Sequence, residues 1–142
     1  MMTTARDIMH RDAVCIGEHD TLETAARRMR ELDIGALPIC GDDNRLHGII
    51  TDRDIVLECV AAGGDPRSMT AGALAHGKPY VVDADADVGR VLTVMEEHRI
   101  RRLPVVEEHR LVGMISEADL AVHLPESEVG RFVEAICART AP

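Results

Sequence analysis

Apolar and polar positions along the chain follow two rhythms, and the whole succession of rhythms occurs twice. In the segment 19–34, Leu22, Ala25, Ala26, Met29 and Leu32 recur at the spacing of one face of an amphipathic helix. A shift of 66 positions carries this segment onto 85–100, where Val88, Val91, Leu92 and Met95 keep the same phase. Asp20 and Glu23 give the first helix a capping-box pattern at its start. Short β-prone runs precede the two helices at 13–16 and 80–82. Longer runs follow them, "ALPIC" at 36–40 and "RLPVV" at 102–106, with Pro38 and Pro104 at matched positions. A proline there predicts an edge strand or a strand start. After a polar turn, one residue longer in the first copy, comes "RLHGIIT" or "RLVGMIS", a second strand that runs straight into another helix.

Each copy therefore predicts strand–helix–strand–strand–helix, and the fold class is α+β with two tandem repeats. The short segments "TARDIM" at 4–9 and "TAGALA" at 70–75 read as lead-in helices. The stretch "AAGGDPRSM" at 61–69 is the clear Gly/Pro break. The expected division is a first repeat over 4–64, a linker at 65–69, a second repeat over 70–124, and a C-terminal helix and tail over 125–142. In that last helix Val129, Phe132, Val133 and Ile136 share a face. It has no matched partner in the first half, so it either closes the core or packs on another subunit. Repeats of about 60 residues bury little surface alone. The two are expected to pack as one pseudo-twofold module, with the cleft between them as the natural ligand site.

The phrase "GIITDRD" at 48–54 returns in register as "GMISEAD" at 113–119. Thr51 and Ser116 stand where a strand ends and a helix begins, with Asp54 and Asp119 three positions on. As a capping box, hydroxyl and carboxylate would satisfy each other's backbone N–H groups. The same parts suit a nucleoside phosphate. A hydroxyl bonds phosphate, a carboxylate accepts two bonds from a ribose diol, and a glycine lets a ligand approach the backbone. The residues alone leave both readings open.

Composition narrows the partners. A formal charge of −9 repels phosphate backbones, and the only aromatic residues are Tyr80 and Phe132, so nucleic acid is not an expected partner. No apolar run reaches the length of a membrane span. The N-terminus lacks a basic-then-apolar leader, which makes the cytoplasm the expected compartment. There the four cysteines, at 15, 40, 59 and 137, are expected to be mostly reduced, and none forms a CxxC pair.

The repeated unit, its duplication and the two junction phrases resemble the CBS-domain pair, or Bateman module. "TARDIM" and "EEHRIRRLPVV" strengthen the likeness, which covers roughly residues 4 to 140. Among its members the chain looks most like the free-standing two-domain proteins of actinobacteria associated with the hypoxic response. The resemblance implies a regulatory module, not an enzyme, that binds adenine nucleotides and pairs into a homodimer. It implies ribose contacts from Asp54 and Asp119, and phosphate contacts from Thr51 and Ser116. Apolar walls for adenine fall on Ile16 and Pro38, or on Val82 and Pro104. Basic residues before the strand proline reach phosphates in the family. Arg101 and Arg102 match them in the second repeat, whereas Gly35 and Ala36 stand in the first. Arg53 is likewise matched by Ala118, so the two sites are chemically unequal. In this fold the strands bearing Cys15 and Cys40 lie side by side, which implies a disulfide or redox switch, against the cytosolic reducing poise. The rival function is a stress-linked structural or interaction protein that binds no nucleotide and responds through thiols. The protein partner is unknown in either case.

Other signals carry less. "GALAHGKP" at 72–79 imitates a phosphate loop, but Pro79 stands where the hydroxyl belongs and a strand follows instead of a helix. Seven histidines are scattered without metal-ligand spacing, so no metal is expected. No nucleophile elbow or other catalytic constellation is present in the sequence.

Overall fold

The repeated rhythm closes into matched elements in each half of the chain, in a computed structural model that describes residues 3–11, 14–75 and 79–137. The first half runs α1 (Ala5–Ile8), β1 (Ile16–Gly17), α2 (Leu22–Leu32), β2 (Ala36–Cys40), β3 (Leu46–Thr51) and α3 (Asp52–Ile55). Helix α3 continues as a π-helical turn over Val56–Val60. A 3-10 turn at Ala71–Leu74 precedes β4 (Val82–Asp83), α4 (Val88–His98), β5 (Arg102–Glu107) and β6 (Arg110–Ser116). Helices α5 (Glu117–His123) and α6 (Glu126–Cys137) complete the described chain. The architecture is mixed helix and sheet, with two three-stranded sheets ordered β1-β2-β3 and β4-β5-β6.

Each sheet joins a parallel pair, connected through a helix, to a strand that follows after a short turn. Ile16 pairs with Ile39 and Gly17 with Cys40 in parallel, while Leu37 opposes Ile50 and Pro38 opposes Ile49 in antiparallel register. In the second sheet Val82 pairs with Val105 and Asp83 with Val106. The first strands begin later than the runs at 13–16 and 80–82 and pair over only two residues, because a turn takes the chain out of the sheet. Gly17 N–H donates to Asp20 Oδ2 at 2.8 Å, and Asp85 N–H to Asp83 Oδ1 at 2.9 Å. Pro38 and Pro104 are not on edge strands; β2 and β5 are the central strands. They are tolerated because β1 and β4 pair only beyond them, at residues 39–40 and 105–106, so no donor is missed on that side.

The start of α2 also departs from expectation. Thr21, not Asp20, is the cap, accepting from Thr24 N–H at 3.1 Å, because it stands directly before Leu22 while Asp20 is spent on Gly17. Leu22, Ala25 and Met29 are buried, whereas Ala26 and Leu32 face out. Asp87 caps α4 and accepts from Arg90 N–H at 2.9 Å. Both helices end in a left-handed residue, Asp33 and Arg99, at positions related by the repeat.

Compact grouping follows packing instead of chain order. One unit takes residues 3–11 together with 80–108 and 112–137; the other takes 14–75, 79 and 109–111. Within the first unit, α1 docks on the second repeat. Ala5 N–H donates to Ala86 O at 2.8 Å, Val88 N–H to Thr3 O at 2.9 Å, and Arg6 reaches Glu107 at 2.7 Å and Asp85 at 3.2 Å. Thr4 and Asp7 cap α1, and donation from the Thr4 backbone and hydroxyl holds the Asp7 carboxyl below its ordinary pKa range. Ile8 enters a core with Val91, Met95, Leu103, Ile115 and Leu120. Helix α6 joins the same core through Phe132 and Ile136, so it closes the core, while Val133 points away.

Within the second unit, the 3-10 turn docks on the first repeat by the corresponding exchange. Ala71 N–H donates to Asp20 O and Gly72 N–H to Glu18 O, both at 2.8 Å. Ala71 and Leu74 pack with Ile16, Leu22, Ile39 and Ile50. The phosphate-loop look-alike lies partly in this turn, and its His76, Gly77 and Lys78 lie outside the described residues.

Candidate functional site

The two strand-to-helix corners are built alike. Thr51 and Ser116 are both extended in backbone, at φ −115° and −120°, and each caps the helix that follows. Thr51 N–H donates to Asp54 Oδ2 at 2.9 Å, and Asp54 N–H returns a bond to Thr51 Oγ1 at 3.1 Å. Ser116 donates to Asp119 Oδ2 through its N–H at 2.8 Å and its hydroxyl at 3.0 Å. Asp119 N–H answers at 3.4 Å. The capping box is therefore realised in both copies. It uses one oxygen of each carboxylate; Oδ1 of Asp54 and of Asp119 takes no donor from the described residues.

The glycines of the repeated phrase serve packing, contrary to the expected ligand approach. A Cβ on Gly48 would sit 2.9 Å from Ala75 Cβ. On Gly113 it would meet Met9 Sδ, Met9 Cγ at 2.9 Å and His10 O at 3.0 Å. In each unit the docked lead-in segment lies over the glycine, so an added side chain would collide with it as it stands. Ala75 cannot swing aside as Met9 can. Gly48→Ala is expected to lower stability by about 1–3 kcal/mol through overpacking, read by urea unfolding. An unchanged midpoint would mean the turn at 71–74 yields freely.

Outside the corners, the other expected residues are less concentrated. Arg53 is exposed on α3, and Arg102 is exposed at the start of β5. Arg101 lies 3.4 Å from Glu117 Oε1, beside the Ser116 corner, and 3.8 Å from Cys137 Sγ. Ile16 and Val82 are buried inside the cores of their own units, and Pro38 and Pro104 are buried in the central strands. Cys15 and Cys40 are joined by a disulfide, with Cα atoms 5.6 Å apart, while Cys59 and Cys137 are free.

One residue that the sequence reading missed stands at the second corner. His10 Nδ1 lies 2.8 Å from Asp119 Oδ2. The partners are 109 positions apart, and no local pattern joins them.

Among the described residues, open grooves also lie away from the corners. One, of about 570 Å³, is lined by Gly89, Thr93, Glu96, Glu128, Arg131 and Glu134. Another, of about 490 Å³, lies beside Cys40 and is lined by Glu18, His19, Asp20, Asp42, Asp43 and His47. A hydrogen bond with His47 at 3.0 Å holds the Glu18 carboxyl below its ordinary range, so that groove is anionic. Carboxylates dominate both linings, which disfavours phosphate. No helix among the described residues is long and apolar enough to cross a membrane.

The doubled corner has counterparts in known proteins. Residues 5–60 and 71–126 each match the CBS domain. Hypoxic response protein 1 of Mycobacterium tuberculosis is 62% identical over 136 residues, covering 96% of this chain and 95% of that one. The crystal structure of Hypoxic Response Protein I with two coordinated zinc ions is 63% identical at a TM-score of 0.80, covering 87% of this chain and all 100% of the other. A hexameric CBS-CP12 protein from bloom-forming cyanobacteria is 30% identical at a TM-score of 0.75, covering 87% and 68%. With both halves matched and the hydroxyl–carboxylate corner built in each, this chain belongs to the CBS-domain family as a tandem pair related to hypoxic response protein 1.

Proposed function

We propose that this CBS pair is a non-catalytic regulatory sensor whose strand-to-helix corners bind adenine nucleotides. The observation that carries the proposal is the pair of corners itself. Each offers a carboxylate with one oxygen tied into the cap and the other taking no donor from the described residues. Asp54 and Asp119 take the ribose diol, and Thr51 and Ser116 take phosphate oxygens. Arg53 serves the first corner, and Arg101 and Arg102 the second. Pro38 and Pro104 flank the adenine, with Ile16 and Val82 behind them in the cores. A nucleotide shifts the protein between states only by as much as its affinity differs between them. A protein partner then reads the favoured state.

Dimerisation belongs to the same proposal. The helical segment after each corner exposes apolar side chains: Val56, Leu57 and Val60 in the first copy, Val122 in the second. A second copy of the chain is the occupant we assign to these faces. The crystal structure of Hypoxic Response Protein I holds two coordinated zinc ions. Among the described residues here, no group of three or more His, Cys, Asp or Glu side chains is placed to share an ion.

A thermal-shift screen with AMP, ADP and ATP, run reduced and oxidised, tests the function. A nucleotide at 100 times its dissociation constant stabilises by about 2.7 kcal/mol. No shift for any of the three at millimolar concentration removes the proposal. Sedimentation of the same samples tests the dimer, and a monomer at tens of micromolar refutes it. The Cys15–Cys40 disulfide favours a second reading, a thiol-responsive structural or interaction protein. A large difference between the reduced and oxidised samples, with no nucleotide effect, selects that reading.

A further inference from the structure

We propose that His10 is a built-in competitor for the second corner, bonded to Asp119 in the free protein and displaced when a nucleotide diol binds. This rests on the nucleotide function above and concerns how that same site is regulated.

The lead-in segment brings His10 to the corner. His10 N–H donates to Met114 O at 3.0 Å, and Met114 N–H donates to His10 O at 3.1 Å, two residues before Ser116. Ala5, Ile8 and Met9, buried in the same unit, anchor the segment upstream. The imidazole therefore arrives on a fixed backbone. An ionised carboxylate only accepts, so Nδ1 is the nitrogen that carries the proton in this bond.

The count of donors at Asp119 makes the contact competitive. Its Oδ2 receives Ser116 N–H at 2.8 Å, the Ser116 hydroxyl at 3.0 Å and His10 Nδ1–H at 2.8 Å. A carboxylate oxygen offers about two lone-pair sites, so with three donors Oδ2 is over-subscribed. Oδ1 takes no donor from the described residues. A ribose diol presents two adjacent hydroxyls and engages a carboxylate best through both oxygens. To reach Oδ2 it must expel a donor. Ser116 N–H belongs to the cap and stays. The Ser116 hydroxyl is freed if it turns to a phosphate. His10 is the remaining donor, and its half-exposed side chain (49%, against 19% for Asp119) can rotate into water.

Among the described residues, Asp54 Oδ2 accepts only Thr51 N–H, at 2.9 Å. His76 stands at the position related to His10 by the repeat and lies outside the described residues. By linkage, whatever nucleotide affinity His10 removes, the nucleotide removes equally from the His10 contact. Occupancy of the second corner thus releases the His10 side chain.

Calorimetric titration of the full-length chain with AMP, ADP and ATP tests this in the Asp54→Asn background, where only the second corner keeps its diol acceptor. Adding His10→Ala is expected to tighten binding about tenfold, the worth of one charge-assisted bond no longer broken. Unchanged or weaker affinity overturns the competitor role. Should the alanine variant fold poorly, ¹⁵N-imidazole NMR of the unaltered protein answers the same question. The His10 Nδ1–H bond to Asp119 should be present in the free protein and lost at nucleotide saturation; its persistence overturns the proposal. Failure of every variant to bind any nucleotide, with both aspartates intact as well, is a different outcome and defeats the nucleotide function itself.

Discussion

Phe132→Ala is expected to lower the unfolding free energy by about 3–5 kcal/mol, the range for removing a buried aromatic ring from a core. Phe132 is 1% exposed and the only phenylalanine in the chain. Around it stand aliphatic side chains such as Leu103, Ile115 and Leu120, each already buried in the same core. These cannot shift far enough to fill the void, so transfer and cavity costs add. Val133 on the same helix is 40% exposed, and Val133→Ala should change stability by no more than about 0.5 kcal/mol. Urea unfolding at constant m-value measures both. An effect below about 1 kcal/mol at Phe132, far under the expected range, would mean that α6 does not close the core.

Opening the Cys15–Cys40 bond is the second large effect. The two residues are 25 positions apart, and the loop they close contains β1 and the whole of α2. Chain-entropy reasoning gives about 3–4 kcal/mol for a loop of this length, chiefly by restricting the unfolded chain. The pairing of Ile16 with Ile39 and Gly17 with Cys40 holds the two cysteines together in the folded state. Folding therefore favours closure, and closure favours the fold. Urea midpoints with and without dithiothreitol read the difference, and Cys15→Ser should match the reduced protein. Equal midpoints would refute the stabilising role. Thiols in a reducing cytoplasm are kept open. Alkylation mapping of protein taken directly from cells therefore reports whether the bond closes where the protein works. Cys137, exposed and free, should label at once, and Cys59, buried and free, only on unfolding.

Much of the fold was legible because periodicity and repetition are local. The shared phase of Leu22, Ala25 and Met29 with Val88, Val91 and Met95 marks one duplicated helix, and the burial of these positions, partial at Val88, follows from it. The capping boxes at Thr51 and Ser116 are visible for the same reason, since a cap spans four residues. What could not be read depends on distance along the chain. The docking of α1 on the second repeat, and of the 71–74 turn on the first, leaves no local signature. Its only trace is the pair of small residues, Gly48 and Gly113, that give it room. Sequence chemistry assigned those glycines to a ligand, because a gap for backbone and a gap for a ligand look the same in one dimension. His10 was missed for this reason too. Ile16 and Val82 illustrate the converse: the repeat relates them in one dimension, but the depth of their burial is a property of the packed core.

The most direct measurement is titration calorimetry of the full chain and of its Asp54→Asn/Asp119→Asn variant with AMP, ADP and ATP. Asparagine keeps an oxygen for the cap N–H and replaces the second acceptor with a donor, so the fold survives while the diol loses its grip. Saturable binding of at least one nucleotide by the unaltered chain, abolished in the folded double variant, is the predicted result. No binding by the unaltered chain up to millimolar nucleotide, or equal binding by the double variant, contradicts the account.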